Sequence, residues 1–390
     1  MEDEECHHPG QYEGVDDGEE CPAASCLAPE GGNGGHAREI EQHKDEEGEC
    51  LDRREEGIGG SGWFPYVKNL GTEENPNFKS YWDANSGKVW GNTEVIITGG
   101  HILNNVYGGN ESTDVGDYGI ADATYHNAHH EVPVGAPYWK AGGKATVTIS
   151  GGTIGVPRTA EQAALNPLAG NVFGGGCGDP RPIFNTLNNV DSTYVGISGG
   201  FIYGNVYGGA EEGHVLDSTY VSISQAVGKT TVIGSTGLSG IDGNVFGGGK
   251  GKENYVDEND LNFASGRVQG NTHVKMTGGT VLGNLFGGGN VALTGVDVNG
   301  SFSSYVNSST QMYDSINHGR TLVEVSGGTI GNFVNEGFDL LMSDNDLGNV
   351  YGGGRGTPDD LMEDDLGRVA NTVVNISGSP RIYSSVFGGG

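Results

Sequence analysis

Residues 193–209 read TYVGISGGFIYGNVYGG and join two short phrases that return along the chain. In the first phrase, Thr-x-Val-x-Ile-Ser/Thr-Gly-Gly, alternate residues such as Thr193, Val195 and Ile197 share one face if the backbone is extended. The second phrase, Gly-Asn-Val-Tyr/Phe-Gly-Gly, restarts a short apolar strand after a Gly-Asn turn. Since no 3.6-residue apolar spacing runs through either phrase, both are predicted to be strands.

The two phrases recur along most of the chain. The second phrase occurs seven times, and its Asn, Val or Leu, and aromatic positions are Asn105, Val106, Tyr107, Asn171, Val172, Phe173, Asn205, Val206, Tyr207, Asn244, Val245, Phe246, Asn284, Leu285, Phe286, Asn349, Val350, Tyr351, Val386 and Phe387. The first phrase lies at Thr93–Gly100, Thr146–Gly152, Thr193–Gly200, Thr272–Gly279 and Thr321–Gly328, with weaker copies from Thr219 and Thr372. Self-similarity of this kind is typical of stacked repeat architectures. We call each pair of phrases a unit and number the units 1 to 7 along the chain.

The units predict an all-β fold, and more specifically a right-handed parallel β-helix of about seven coils. The longer units carry extra residues, such as Val156–Ala169 and Asn332–Asp346, which we expect to form external loop insertions. The residues expected to point inward are Val95, Ile97, Val147, Ile149, Val195, Ile197, Val274, Met276, Val323, Val325, Val374 and Ile376.

Glycine makes up 73 of the 390 residues, far above its usual share of roughly 7%. There is no Gly-x-y period, which excludes collagen, and the glycines recur at fixed places beside Val, Ile and Phe, which excludes a flexible linker. Coils stacked about 4.8 Å apart would bring glycine corners together. The recurring asparagines are predicted to form a stacked amide ladder, and the recurring aromatics a stacked row rather than a ligand-binding platform.

Charge divides the chain into regions. The net charge is −31, which disfavours partners such as nucleic acid and anionic membrane surfaces. Residues 1–60 hold 19 acidic against 4 basic residues and no periodic apolar pattern, so we predict a disordered leader that limited proteolysis removes. Residues 61–88 are interpreted as an entrance or cap segment, and 89–390 as the solenoid repeat domain. No stretch is apolar enough to predict membrane insertion of this segment.

The two ends and the cysteines raise further expectations. Met1-Glu-Asp-Glu-Glu does not resemble a secretory signal, and Gly390 falls on the last letter of a repeat without a cap, so we expect a longer reading frame truncated at its C-terminus. The leader cysteines are predicted to form two disulfides, to bind zinc, or to stay in an unstructured leader. They are Cys6, Cys21, Cys26 and Cys50. Cys177 is interpreted as a tolerated small residue at a repeat corner.

Two kinds of metal site are weighed against ordinary polar loops. The segment 111–141 carries the candidate metal ligands His126, His129, His130 and Glu131, and the alternative is a solvated loop. The acidic segments 257–260, 344–346 and 359–365 offer oxygen ligands for calcium, but they lack the EF-hand spacing, and solubilising charge is the alternative. No other cofactor is expected.

Enzyme activity is disfavoured by the isolation of the reactive residues. Parallel β-helices also host polysaccharide lyases and glycosidases, which need carboxylates, or carboxylates and a basic residue, converging in a groove. The nearest candidates are Asp179 with Arg181 close to Cys177, and Asp191. No catalytic constellation recurs from unit to unit, so no catalytic residue is predicted.

The paired phrases resemble those of glycine-rich repeat proteins from gut-type anaerobic bacteria, and the resemblance covers roughly residues 89–390. Those proteins are large cell-surface or secreted β-solenoids of adhesin type. The resemblance implies a non-enzymatic protein that acts as an adhesive or structural stalk and binds glycans or host and partner proteins. The alternatives are a carbohydrate-active β-helix enzyme and a metal-dependent binding module. The acidic leader and the absent export signal depart from the family pattern.

Overall fold

The computed structural model describes residues 43–44, 50–51, 66–69, 72, 75, 77–81, 87–128, 134, 137–165, 169–181, 185–235, 242–252, 262–296, 319–331, 347–356 and 366–390. The chain divides into two compact segments, 1–41 and 42–390, and all described residues belong to the second. Several sequence predictions therefore lie outside the described residues. They concern Cys6, Cys21, Cys26, His129, His130, Glu131 and the acidic segments 257–260, 344–346 and 359–365.

The described residues form strands of two to eleven residues and two six-residue helices. The first elements are β1 (His43–Lys44), β2 (Cys50–Leu51), β3 (Tyr66–Asn69), β4 (Phe78–Tyr81), β5 (Thr93–Ile97), β6 (His101–Ile102), β7 (Val106–Tyr107), β8 (Asp117–Ile120), α1 (Ala123–Ala128) and β9 (Pro137–Ala141). The next are β10 (Lys144–Ile154), α2 (Ala160–Leu165), β11 (Val172–Phe173), β12 (Asn189–Val190), β13 (Ser192–Ile202), β14 (Val206–Tyr207), β15 (His214–Val215), β16 (Thr219–Ile223) and β17 (Thr231–Ile233). The last are β18 (Val245–Phe246), β19 (Thr272–Val281), β20 (Leu285–Phe286), β21 (Arg320–Ile330), β22 (Val350–Tyr351), β23 (Asn371–Ile376), β24 (Arg381–Ile382) and β25 (Val386–Phe387).

Two parallel sheets dominate the part of the chain that the structure describes. The large sheet has ten strands in the main order β5-β10-β13-β16-β19-β21-β23, with β6, β17 and β24 beside them. The narrow sheet has seven strands in the order β7-β11-β14-β18-β20-β22-β25. Each unit gives its first phrase to the large sheet and its second phrase to the narrow sheet, in chain order. The all-β, mostly parallel prediction is confirmed.

The units stack in register across both sheets. Val147 pairs with Val195, Val195 with Val221, and Val221 with Val274, so equivalent phrase positions lie side by side. The weaker copies from Thr219 and Thr372 join the same large sheet through β16 and β23. Register therefore follows the apolar pattern even where the phrase is degenerate.

Smaller pairings complete the described structure. β12 pairs with β15 in parallel, and isolated parallel bridges extend this ladder from Val215 to Val268 and on to Thr294. The antiparallel pairs are β1–β2, β3–β4 and β8–β9. Both helices lie between the two phrases of a unit or between units, where the sequence has its insertions. No helix among the described residues is long and apolar enough to cross a membrane.

The core lies between the large and narrow sheets. It contains the inward-facing Val and Ile positions of the first phrase and the Val or Leu of the second, with Val95 and Val374 partly buried against it. One residue predicted to point inward, Ile376, is 41% exposed, although its register with the buried Val325 places it on the inner side of the sheet. It lies on β23, the last strand in the sheet order, where it pairs with Val325 on one side and no described strand covers the other.

Threonine and glycine connect the two sheets within a unit. The hydroxyls of Thr193, Thr219 and Thr272 each donate at 2.5 Å to the carbonyl oxygens of Gly208, Gly247 and Gly287 respectively. At the bend that ends the first phrase, Gly200 has a φ of +107°, a backbone conformation that a Cβ would strain. The first threonine and the phrase glycines thus fix how each unit passes from one sheet to the other.

Candidate functional site

The recurring asparagines form a continuous hydrogen-bonded ladder. Each side-chain Oδ1 accepts a hydrogen bond from the backbone N–H of the equivalent residue in the next unit, at 2.7–3.0 Å. The series is Asn105, Asn171, Asn205, Asn244, Asn284, Asn349 and finally Ser385. Because these amides supply hydrogen bonds to buried backbone groups, their part is to hold the stack rather than to bind a ligand.

The recurring aromatic rings stack on one another along the narrow sheet. Consecutive ring centroids are 4.7–5.1 Å apart and the planes differ by 4–9°. The rings are Tyr107, Phe173, Tyr207, Phe246, Phe286, Tyr351 and Phe387. Inside the row both faces of each ring are covered by neighbouring rings, so these aromatics have no face left for a ligand.

Beyond the narrow sheet, one residue from each of six units forms a row that we call the corner row. Its members are Glu111, Cys177, Glu211, Lys250, Asn290 and Arg355. Parallel bridges join Glu111 to Cys177, Glu211 to Lys250, Lys250 to Asn290, and Asn290 to Arg355. Neighbouring members therefore point to the same side and lie one strand spacing apart. The corner row therefore brings ionisable groups from different units together.

At the centre of the corner row a buried ion pair shares its carboxylate with a tyrosine. Lys250 Nζ lies 3.5 Å from Glu211 Oε1, and the two side chains are 8% and 9% exposed. The Tyr107 hydroxyl donates to Glu211 Oε2. Burial first, and then the charges of Glu211 and Cys177, raise the pKa of Tyr107, which keeps its hydroxyl protonated. Glu211 is thus held by two donors, one at each oxygen.

The thiol in the corner row is not poised for nucleophilic chemistry. Burial, followed by the negative charge of Glu211, raises the pKa of Cys177 to about 12. The thiolate is the nucleophile and the metal ligand, and it is scarcely populated near neutral pH at that value. The expectation that Cys177 is a small corner residue agrees with this environment.

The pKa of Glu212, the residue after Glu211, is shifted into the neutral range and makes the stability depend on pH. Burial raises the pKa of Glu212 to about 7; the positive charges of Lys250 and Lys252 act to lower it, while the negative charges of Glu211 and Asp179 add to the rise. The folded protein therefore retains a proton on Glu212 between the ordinary glutamate pKa of 4.5 and about 7, where the unfolded chain has released it. The free energy of unfolding must fall as the pH rises through this window.

We expect Glu212→Gln to remove that pH dependence. At pH 8 the variant should be more stable than the wild type by on the order of 1 kcal/mol, because glutamine has no charge to desolvate. Near pH 4 the two proteins should have similar stability, since Glu212 is then neutral in both states. Urea unfolding at the two pH values measures the difference, with the exposed Glu94→Gln as the matched control. A stability difference that is equal at both pH values would contradict the assignment.

The residues considered for catalysis make separate local contacts. Arg181 binds Asp179 through two hydrogen bonds, Nε to Oδ1 at 2.8 Å and Nη2 to Oδ2 at 2.6 Å. Burial alone would raise the pKa of Asp179, but the hydrogen bonds and charge of Arg181 outweigh it and lower that pKa. Asp191 instead accepts a hydrogen bond from the Ser192 hydroxyl at 3.1 Å. The structure shows ion pairing here rather than an acid and a base poised for transfer.

The histidine segment contributes one described residue. His126 lies in α1 and is half-buried. In the part of the chain that the structure describes, no group of three or more His, Cys, Asp or Glu side chains comes together to hold a metal ion.

The outer face of the large sheet carries a group that the repeat pattern did not reveal, which we call the tyrosine row: Tyr194, Tyr220, His273 and Glu324. Tyr194, Tyr220 and His273 occupy equivalent positions on β13, β16 and β19. The two tyrosine rings stack at 5.5 Å, Tyr220 meets His273 edge-on at 4.6 Å, and His273 Nε2 lies 2.9 Å from Glu324 Oε2.

The tyrosine row is open to solvent at one end. Tyr194 is 40% exposed, and because one ring face lies on Tyr220, its other face is directed towards β10, where the registered residue is the small Thr146. Its ring also lies over Gly196, since a Cβ there would come within 2.7 Å of it. These residues sit at the x positions of the first phrase, so the periodic pattern had no signal for them.

Comparison with known proteins gives no match: no protein-family model, no curated protein and no solved structure is significantly similar to this chain.

Proposed function

We propose that this protein is a non-enzymatic, adhesin-like repeat protein of the cell surface or extracellular space. Its repeat region is a right-handed parallel β-helix of seven coils, one for each unit, with loop insertions on the outside. The in-register parallel sheets and the asparagine and aromatic ladders support this architecture. A parallel strand connection is right-handed in nearly all known cases. The β-helix is a rigid stalk whose outer face binds glycans or partner proteins.

The observation that carries the binding function is the tyrosine row on the outside of the large sheet. Tyrosine offers an apolar ring face and a polar hydroxyl, the combination that suits a pyranose ring with its apolar C–H face and its hydroxyls. His273, Glu324 and the neighbouring Lys275 add hydrogen-bonding groups beside the rings. The net charge of −31 favours neutral sugars over acidic ones. The exposed aromatic face, rather than the buried corner row, is therefore the proposed ligand surface.

We expect the double variant Tyr194→Ala/Tyr220→Ala to lose glycan binding. Removing both rings should weaken the affinity about tenfold or more, equivalent to about 1.4 kcal/mol. Binding is measured on an array of neutral and acidic oligosaccharides, and then by titration with the best neutral sugar. Phe201→Ala is the matched control, because Phe201 is also 40% exposed and lies on the same strand outside the tyrosine row. If the wild type bound no sugar, or if Phe201→Ala lost as much affinity as the double variant, the glycan-binding proposal would be wrong.

One observation favours a carbohydrate-active enzyme as the second candidate. Glu211 and Lys250 come from neighbouring units and converge at 3.5 Å, as an acid and a base of a lyase would. Their burial argues against it, because a polymer cannot reach side chains that are less than a tenth exposed. Incubation with an acidic polysaccharide distinguishes the glycan-binding protein from the enzyme. Cleavage by the wild type that is lost in Lys250→Arg would show that the protein is an enzyme.

A further inference from the structure

We infer that Lys250 and Asn290 form an intramolecular isopeptide bond, with Glu211 as the catalytic residue. The three residues are consecutive members of the corner row. Glu211 bridges to Lys250 and Lys250 bridges to Asn290, so the lysine lies between a carboxylate on one side and a carboxamide on the other. This inference concerns a covalent modification and does not depend on the proposed glycan binding.

Backbone hydrogen bonds fix the three residues as neighbours. The backbone N of Lys250 donates to Ala210 O at 2.9 Å, and that of Glu212 donates to Lys250 O at 2.8 Å, which holds Glu211 beside the lysine. On the other side, Asn290 N donates to Gly249 O and Gly251 N donates to Asn290 O, both at 2.9 Å. Residues paired in this way direct their side chains to the same side of the ladder. The flexible lysine stem can therefore turn from Glu211 towards the Asn290 side chain.

Glu211 is oriented for proton transfer with the lysine. Its Oε2 accepts the Tyr107 hydroxyl, which leaves Oε1 directed at Lys250 Nζ, 3.5 Å away. In the first step Oε1 takes a proton from the Lys250 ammonium, so that Nζ gains a free electron pair. A carboxylate in contact with the nucleophile is the arrangement that general-base catalysis requires.

The remaining steps balance without any further reactant. The Nζ electron pair attacks Cγ of Asn290 and forms the new C–N bond. The second proton of Nζ passes to Nδ2, the Cγ–Nδ2 bond breaks, and Nδ2 leaves as neutral ammonia with the electrons of that bond. The Glu211 carboxyl then releases the proton that it took in the first step. The products are one amide between Lys250 and Asn290, one ammonia, one released proton and an unchanged Glu211.

Burial favours this product over hydrolysis. Asn290 is 2% exposed, Lys250 7% and Glu211 6%, so bulk water has little access to the carboxamide. The reacting groups lie on adjacent segments joined by a parallel bridge, which makes the attack intramolecular and raises the effective concentration of the amine. The bond would join units 4 and 5 covalently in the middle of the stack.

The mass of the purified full-length chain tests the inference directly. Formation of the bond removes one ammonia, so the wild type should weigh about 17 Da less than its sequence requires. Tryptic mapping should show no cleavage after Lys250 and a branched peptide that joins the Lys250 and Asn290 segments. Lys250→Arg, which keeps the positive charge beside Glu211, should restore the full mass. Glu211→Gln should also restore it, although both bonding residues are still present.

Lys252→Arg is the matched control, because Lys252 lies two residues from Lys250 and outside the corner row; it should keep the mass loss and the branched peptide. A wild-type mass equal to the sequence mass would overturn the inference, and so would a mass loss that maps to another residue. Loss of the branched peptide in Lys252→Arg would count against it as well. Glycan binding is read separately, so failure of either idea leaves the other standing.

Discussion

Gly208→Ala should destabilise the repeat region by about 3 kcal/mol or more. An added Cβ would lie far inside van der Waals contact with the carbonyl oxygen of Gly247 in the next unit and 3.0 Å from Val221 Cγ2. One neighbour is main chain and the other is a buried core residue, so neither can move without separating the stacked units. The same close approach recurs at the first glycine of the second phrase, from Gly108 to Gly352.

Denaturant unfolding measures this effect, and Gly99→Ala is its control. Gly99 has nothing within 4 Å of the position that a Cβ would take, and it is not among the glycines with positive φ. Its substitution should change the free energy of unfolding by no more than about 0.5 kcal/mol. If Gly208→Ala were as mild as this control, the stacking distance described for the units would be wrong.

Phe246→Ala should cost about 3–5 kcal/mol of stability. Phe246 is fully buried, and its ring is stacked between Tyr207 at 5.0 Å and Phe286 at 4.8 Å. Truncation removes a large apolar side chain from the middle of the aromatic row and leaves a cavity, because the ladder hydrogen bonds on either side prevent collapse.

Urea unfolding again gives the measurement, with Phe201→Ala as the comparison. Phe201 is 40% exposed on the outer face, so its loss should cost less than about 1 kcal/mol. Similar costs at the two positions would mean that the aromatic row does not carry the packing of the narrow sheet.

The parallel sheets could be predicted from the sequence because the residue patterns that specify them are local and repeated. Alternating Val and Ile in the first phrase, and glycine at fixed corners, predict strands and their register without reference to distant residues. Ile376 has the predicted inward register but is exposed, because burial depends on whether a further strand covers β23, and the residue pattern alone does not contain that information.

The residues of the corner row and the tyrosine row could not be predicted from the sequence, for a physical reason. Glu111, Cys177, Glu211, Lys250, Asn290 and Arg355 share no chemical type, so no periodic signal marks them as neighbours. Tyr194 and Tyr220 lie at positions that the repeat leaves unspecified. The corner row and the tyrosine row can be recognised only when the strand register is known, because the register determines which side chains of different units are neighbours.

The asparagine ladder has a consequence for how such a chain can change in length. Consecutive ladder residues are separated by 34 to 40 positions in some units and by 65 or 66 in others, yet the backbone N to Oδ1 distance stays between 2.7 and 3.0 Å. Each rung needs only the rung before it, so recombination between the coding segments of two units would join compatible ladders. The number of units and the length of their insertions can then vary independently. Each unit must only keep a residue at the ladder position whose backbone N–H reaches the asparagine Oδ1 of the unit before it.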